Sequence, residues 1–263
     1  MKHHLVFVAG LLGAAIAVSA ANAADPLAPL APGATPVETP SGWTITVAPY
    51  FWAAGMKGDI AQFGLPQVHV DARFSDILDN LDFAAMAVGE ARYDRYSIFS
   101  DIMYTKLSNS ATTPNGVVAD DIEVTSKTFA GLIGAGYSVI DGPNGRLDVV
   151  GAVRLWSTET TISFSGGLLG GVERNDSATW ADALAGLKGN YFLTPNVYLT
   201  GWAMAGAGGA DLDWDVMGGV GYKFNDRISA VAGYRALGVD YSNDGFVFDV
   251  VQQGPIIGVA IHF

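Results

Sequence analysis

Apolar and polar residues alternate with a period of two along much of the chain. From Asp213 to Phe224, one face carries Trp214, Val216, Gly218, Val220, Tyr222 and Phe224, and the other carries Asp213, Asp215, Met217, Gly219, Gly221 and Lys223. Successive side chains of a strand point to opposite sides, so this stretch predicts a β-strand with one apolar face. Leu147 to Trp156 reads the same way, with Leu147, Val149, Gly151, Val153 and Leu155 opposite Asp148, Arg154 and Trp156. The chain ends on Ile257, Val259, Ile261 and Phe263 at every second position. Turn chemistry separates such stretches at Tyr93-Asp94-Arg95, Asp141 to Gly145, Thr194-Pro195-Asn196 and Asn225-Asp226. Longer polar connections fall at Met56 to Leu81, Ser108 to Asp121, Gly166 to Asp176 and Ser242 to Gly245, with a short one near Gly208.

Beyond the first residues no apolar run is long enough for a membrane helix. The best, Phe129 to Ile140, is broken by Gly131, Gly134 and Gly136. Strands cross a lipid bilayer only as a closed barrel, because an open sheet edge leaves backbone groups unpaired. Aromatics at both ends of the apolar face of 213–224 sit where the girdles of such a barrel lie. The expected fold is therefore all-β, a single closed antiparallel transmembrane β-barrel. Four tight turns on one side join about ten strands and put both termini in the periplasm. Eight or twelve strands stay open, mainly because Val68 to Phe74 could pair.

The N-terminus fits a barrel that is exported. Lys2, His3 and His4 precede an apolar stretch, Leu5 to Val18, and Ala21-Asn22-Ala23 follows as a small-x-small cleavage site, which predicts a signal peptide over 1–23. Residues 24–42 hold Pro26, Pro29, Pro32, Pro36 and Pro40 and read as a solvated periplasmic leader, leaving 43–263 for the barrel. With no Cys, disulfide scaffolds, zinc-thiolate sites and cysteine nucleophiles are excluded. A net charge of -12 argues against nucleic acid as a partner, since phosphate neutralisation needs clustered bases. The expected location is the outer membrane of a Gram-negative bacterium. The expected partners are lipid and lipopolysaccharide, with periplasmic chaperones and the barrel assembly machinery during biogenesis. A soluble lipocalin-like barrel is the rival at fold level; it would turn its apolar face inward and lack a gel mobility that changes on boiling.

Several motifs, in order, resemble a widespread, poorly characterised family of small porin-like proteobacterial outer-membrane β-barrel proteins. They are Pro49-Tyr50-Phe51-Trp52 with Gly58-Asp59, Val70-Asp71, Phe74 to Phe83, Glu90-Ala91-Arg92, and Asp101 with Tyr104. Further along come Trp180-Ala181-Asp182 with Gly186, Gly219 to Tyr222, Gly233-Tyr234-Arg235, Asp240-Tyr241 and Gly254-Pro255. The resemblance covers nearly all of Trp43 to Phe263, departing at Ala183, where Pro is expected, and at Lys188, where Arg is commoner. It implies architecture and location but no activity and no catalytic residues. The terminal Ile257, Val259, Ile261 and Phe263 resemble the C-terminal strand signal that assembly machinery reads.

Inward positions by this register are Glu90, Asp101, Asp148 and Asp182 against Arg92, Arg154, Lys188, Lys223 and Arg235. In a bore roughly 20 Å across at the backbone, such charges are expected to interlock as a salt-bridge network that fills the lumen. A narrow pore for small solutes or ions, lined by the same charges, is the alternative. Asp211-x-Asp213-x-Asp215 opens like a calcium loop, but Val216 and Tyr222 stand where Gly and Glu are required, which leaves at most a weak cation site at a barrel mouth. Ser75 to Leu81 predicts a short helix capped by Ser75, either a lid over the mouth or a cover for apolar loop surface. No cofactor or metal is implied. An enzyme is the least favoured class: beyond residue 23 the only histidines are His69 and His262, and neither a Gly-x-Ser-x-Gly nor a His-Glu-x-x-His motif occurs. The chain is thus expected to be non-enzymatic, with a structural or loop-mediated binding role.

Overall fold

The alternating stretches form strands, and almost every strand pairs with its sequence neighbour. A computed structural model describes residues 42–112 and 119–263; the expected signal peptide, and the leader apart from Gly42, lie outside the described residues. The first strand runs in two pieces, β1 (Trp43–Trp52) and β2 (Gly55–Ala61), followed by β3 (Val68–Ala72) and the one-turn helix α1 (Phe74–Leu78). Then come β4 (Leu81–Tyr93), β5 (Tyr96–Thr112), β6 (Asp121–Gly142), β7 (Gly145–Ser165) and β8 (Glu173–Phe192). The chain closes with β9 (Val197–Gly208), β10 (Leu212–Lys223), β11 (Ile228–Asn243) and β12 (Phe246–His262). All pairings are antiparallel, and β12 returns to β1 with Thr46 opposite His262 and Trp52 opposite Ile256. Ten strands, β1 and β4 to β12, thus close a barrel, and β2 with β3 adds a hairpin at one end.

The tight turns gather at one end, the turn end, with Trp43 and Phe263 beside them. The long connections gather at the other, the loop end, together with the short β9–β10 and β11–β12 turns. The wall is uneven there: β6, β7 and β8 have 22, 21 and 20 residues, while β9 and β10 have 12 each.

Along β12 the first strand keeps one register, from Thr46 opposite His262 to Ala61 opposite Val247. On its other edge it changes partner, pairing with β4 through Tyr50 and with β3 from Met56 onward. The change needs backbones in close approach. A Cβ on Gly254 would stand 2.0 Å from the Ala53 carbonyl oxygen, and one on Gly58, at φ 151°, 2.0 Å from that of Asp249. Only glycine fits both conditions. Gly254→Val is expected to prevent closure, read as loss of the band whose gel mobility shifts on boiling.

Helix α1 fills the fork between β3 and β4. Its N-cap is Arg73, not Ser75: the Asp76 carboxylate accepts the Arg73 backbone N–H at 3.0 Å. The Arg73 side chain and backbone bonds together hold the Asp76 carboxyl below its usual range. Ile77 is buried in the barrel's interior cluster, whereas Leu78 is exposed, so α1 covers apolar interior at the fork.

Outward residues form an apolar belt, including Ile98, Ile133, Val149, Val153, Leu155, Leu187, Val216, Val220 and Ile257, all exposed. Aromatics bound it at the turn end, with Trp43 against Tyr93, Tyr96 against Tyr137 and Tyr222 against Phe224. Phe83 against Tyr104 bounds it at the loop end. From Tyr96 to Tyr104 a strand tilted ~40° climbs roughly 21 Å along the barrel axis. Above that level the outward side chains turn polar: Ser157 and Glu159 on β7, and Thr179 and Ser177 on β8.

Candidate functional site

Period-two alternation sends Tyr50, Asp101, Arg154, Asp213, Asp215 and Arg235 inward from β1, β5, β7, β10 and β11, and barrel closure brings them together. Arg235 donates from Nε to Asp215 Oδ1 at 3.1 Å and from Nη2 to Asp215 Oδ2 at 2.7 Å. The same Nη2 reaches Asp101 Oδ2 at 2.6 Å, and Nη1 donates to the Tyr50 hydroxyl at 2.7 Å. Tyr50 in turn donates to Asp101 Oδ1 at 2.8 Å. Arg154 donates to Asp213 Oδ1 at 2.5 Å and to Asp215 Oδ2 at 2.6 Å. The indole N–H groups of Trp156 and Trp202 complete Asp213 and Asp215, each at 2.9 Å. Trp52 and Trp202 also flank the Arg235 guanidinium, 5.1 and 5.3 Å from it to their ring centroids. In the ten-strand ring β5 and β11 are separated by β12, β1 and β4, so the Arg235–Asp101 bond crosses the lumen between non-adjacent strands.

Both guanidinium side chains are buried, at 1% and 0% exposure. Charges removed from water this completely persist when each has close partners of opposite sign. Of the residues expected in the lumen, Asp101, Arg154 and Arg235 meet in this layer, together with Tyr50, Asp213, Asp215, Trp156 and Trp202.

A second cluster lies nearer the turn end. Glu90 accepts from Arg92 at 2.7 Å and from Lys188; Asp148 accepts from Arg92 and from the Ser138 hydroxyl at 2.6 Å. Lys188 sits 5.0 Å from the Phe99 ring centroid. A buried apolar cluster of Phe99, Leu132, Val150, Leu184 and Met204 accompanies these charges. On the other side of the central layer, towards the loop end, the interior is apolar and aromatic. Trp180 stacks on Tyr241 at 3.9 Å and on Trp156 at 5.8 Å, with Met56, Leu237, Phe248 and Val250 buried in the same cluster. The interior is thus charged in two layers and apolar between and above them, rather than charged along its length.

Asp182 stands apart. It is buried but pairs with no base among the described residues; its Oδ1 accepts the Ala210 N–H at 2.8 Å, fixing the β9–β10 turn. Lys223 lies at the turn end, 2.9 Å from Asp226. The carboxylates of Asp211-x-Asp213-x-Asp215 are not gathered at a barrel mouth. Asp213 and Asp215 are buried and hold guanidinium groups, while Asp211 is exposed. The terminal Ile257, Val259 and Ile261 face outward on β12, and Phe263 exchanges backbone hydrogen bonds with Ile45 at 2.8 and 3.3 Å.

Both histidines among the described residues have partners. His69 is exposed, with Nδ1 2.9 Å from Asp59. His262 bridges Thr46 and the buried Ser229, both at 3.1 Å, and Tyr198 donates to Ser229 at 3.1 Å. No carboxylate orients His262 in that chain, which ties β1, β9, β11 and β12 together where the barrel closes.

The fold and its interior define a closed antiparallel β-barrel, apolar outside and packed within. Among solved structures it is similar to the outer membrane protease OmpT from Escherichia coli, over 86% of this chain and 98% of that one, at 12% identity and a TM-score of 0.49. It is also similar to Ail, the attachment invasion locus protein of Yersinia pestis, over 85% and 99%, at 12% identity and a TM-score of 0.37. The translocator domain of the autotransporter NalP from Neisseria meningitidis matches over 86% and 90%, at 17% identity and a TM-score of 0.43. No protein-family model matches the chain, and no curated protein matches it.

Proposed function

We propose that this chain is a non-enzymatic integral protein of the Gram-negative outer membrane, belonging to the porin-like family its motifs resemble. Its barrel is closed to solutes and its loop end is the working surface. The belt of exposed apolar side chains between aromatic girdles supports immersion in lipid, with the turn end and both termini in the periplasm. The observation that carries the closed lumen is the wall-to-wall Arg235 layer, backed by the Trp156–Trp180–Tyr241 stack. Opposite charges within hydrogen-bond reach neutralise one another, whereas a selective pore needs a ring of one sign facing water.

Single-channel recording in planar bilayers, on protein whose gel mobility shifts on boiling, tests this. Silence is expected. Discrete openings whose ion selectivity changes in Arg154→Gln or Arg235→Gln would replace the closed barrel with a narrow channel.

For biogenesis we assign the terminal Ile257, Val259, Ile261 and Phe263 to recognition by the assembly machinery. Deleting Phe263 is expected to lower the amount of heat-shifted protein in outer-membrane fractions severalfold, measured by immunoblot against a co-expressed control barrel.

A further inference from the structure

The uneven wall leaves a notch at the loop end. The β8–β9 ladder begins at Asp182 opposite Gly208, and the β10–β11 ladder ends at Leu212 opposite Asp240. Strand β8 continues through Glu173–Ala181 with β7 on one side, and among the described residues no strand pairs with its other side. Nine residues give an open edge of roughly 30 Å, and the missing height of β9 and β10 leaves a gap about two strands wide.

The direction of the free groups follows from one bond. The Ala181 carbonyl accepts from Gly209, away from β7, so by the period of two the backbone groups of Glu173, Asn175, Ser177 and Thr179 also point into the notch. Long edges are normally blunted by Lys, Pro or a bulge. Residues 173–181 contain neither Lys nor Pro, their charged residues Glu173, Arg174 and Asp176 are confined to the rim end, and their ladder with β7 keeps one register throughout. At the foot of the notch the buried Trp180 indole N–H has no acceptor among the described residues. The surroundings are acidic: Glu173, Asp211, Asp240 and Asp244 stand against Arg174 alone in the edges and floor, while the Asp176 carboxylate accepts the Phe63 backbone N–H from the β2–β3 turn. The notch starts where outward side chains turn polar, which puts it in water.

We infer that the open edge of β8 is a docking site for an extended, basic polypeptide segment, added to the sheet as an extra antiparallel strand. Main-chain hydrogen bonds supply the affinity in this mode, and charge selects the partner. A second copy of this chain would bring the same acidic rim and be repelled. The inference rests on the proposed function only in placing the notch outside lipid. Peptide binding to a barrel that conducts would sink the closed lumen and leave the docking site standing.

The test uses folded protein in detergent and a fluorescein-labelled ten-residue peptide of alternating Lys and Val, read by fluorescence anisotropy. Two comparison peptides are needed: one N-methylated at two adjacent central residues, and one with Glu in place of Lys. The Lys-Val peptide is expected to bind at least tenfold more tightly than either. Ser177→Pro removes a donor that faces the notch and no bond to β7, and is expected to weaken binding at least fivefold. Glu173→Lys with Asp211→Lys should weaken the Lys-Val peptide and strengthen the Glu-Val one, which keeps the test decisive if the proline variant does not fold. Equal binding of the N-methylated peptide, or no loss in folded Ser177→Pro, would overturn the inference. Competition of the peptide with self-association of the barrel would overturn it too, by making a second copy the occupant.

Discussion

Arg235→Met is expected to be among the most damaging single changes in the barrel. The guanidinium donates to Asp101, Asp215 and Tyr50, is fully buried, and lies between the Trp52 and Trp202 rings. Methionine fills much of the volume but leaves Asp101 with Tyr50 alone and Asp215 with Arg154 and Trp202. Breaking a buried pair by removing one partner costs about 3–5 kcal/mol, chiefly because a charge stays behind without compensation. Against a typical total of roughly 5–15 kcal/mol, the urea midpoint should fall far below that of the parent. A second change separates charge from packing: if stranded carboxylates cause the loss, Asp101→Asn in the Arg235→Met background should restore part of it. A cycle in which the two losses simply add would show that packing around the tryptophans, not ion pairing, sets the effect.

Trp156→Ala should be comparably costly for a different reason. Trp156 joins the central charged layer to the apolar interior above it: the indole N–H completes Asp213, and the ring packs on Trp180 and Phe248. Truncating a buried tryptophan costs about 3–5 kcal/mol through lost burial and the cavity left behind. The control is Val153→Ala on the same strand, where the side chain faces outward and is half exposed. It should move the urea midpoint little, because the truncated group leaves no gap in the interior. Similar shifts in the two variants would mean that the interior is not close-packed.

Faces were far easier to read from the sequence than depths. Alternation alone put Asp148, Arg154 and Lys223 on the polar side of their strands, and the turn residues marked where β4 meets β5 and where β6 meets β7. What alternation does not carry is how far along the barrel axis a residue lies, because that depends on the stagger between strands and on how high each strand rises. Asp213 and Asp215 follow a loop in sequence and so read as residues of a mouth. The β9–β10 hairpin is short, its loop stops well below the rim, and both carboxylates sit in the central layer. Asp182 shows the converse: its inward direction was legible, but the low Ala210 turn claims its carboxylate before a base can. Tyr50 was visible only as part of a motif, since a neutral hydroxyl carries no charge pattern to mark it as a bridge between Arg235 and Asp101.

The first strand's change of partner also constrains the order in which the barrel can form. Residues 46–52 need 256–262 on one edge, and 55–61 need 247–253 on the same edge, so the earliest strand of the barrel waits for the last. Contacts separated by about two hundred positions are slow to form, because a long loop must close before any of its pairing is gained. Until β12 arrives, β1 and β2 keep one edge unpaired and β11 keeps another, each with a row of backbone groups lacking partners. Closure therefore cannot finish strand by strand from the N-terminus, and a chain cut short before β12 has no partial barrel in which to rest.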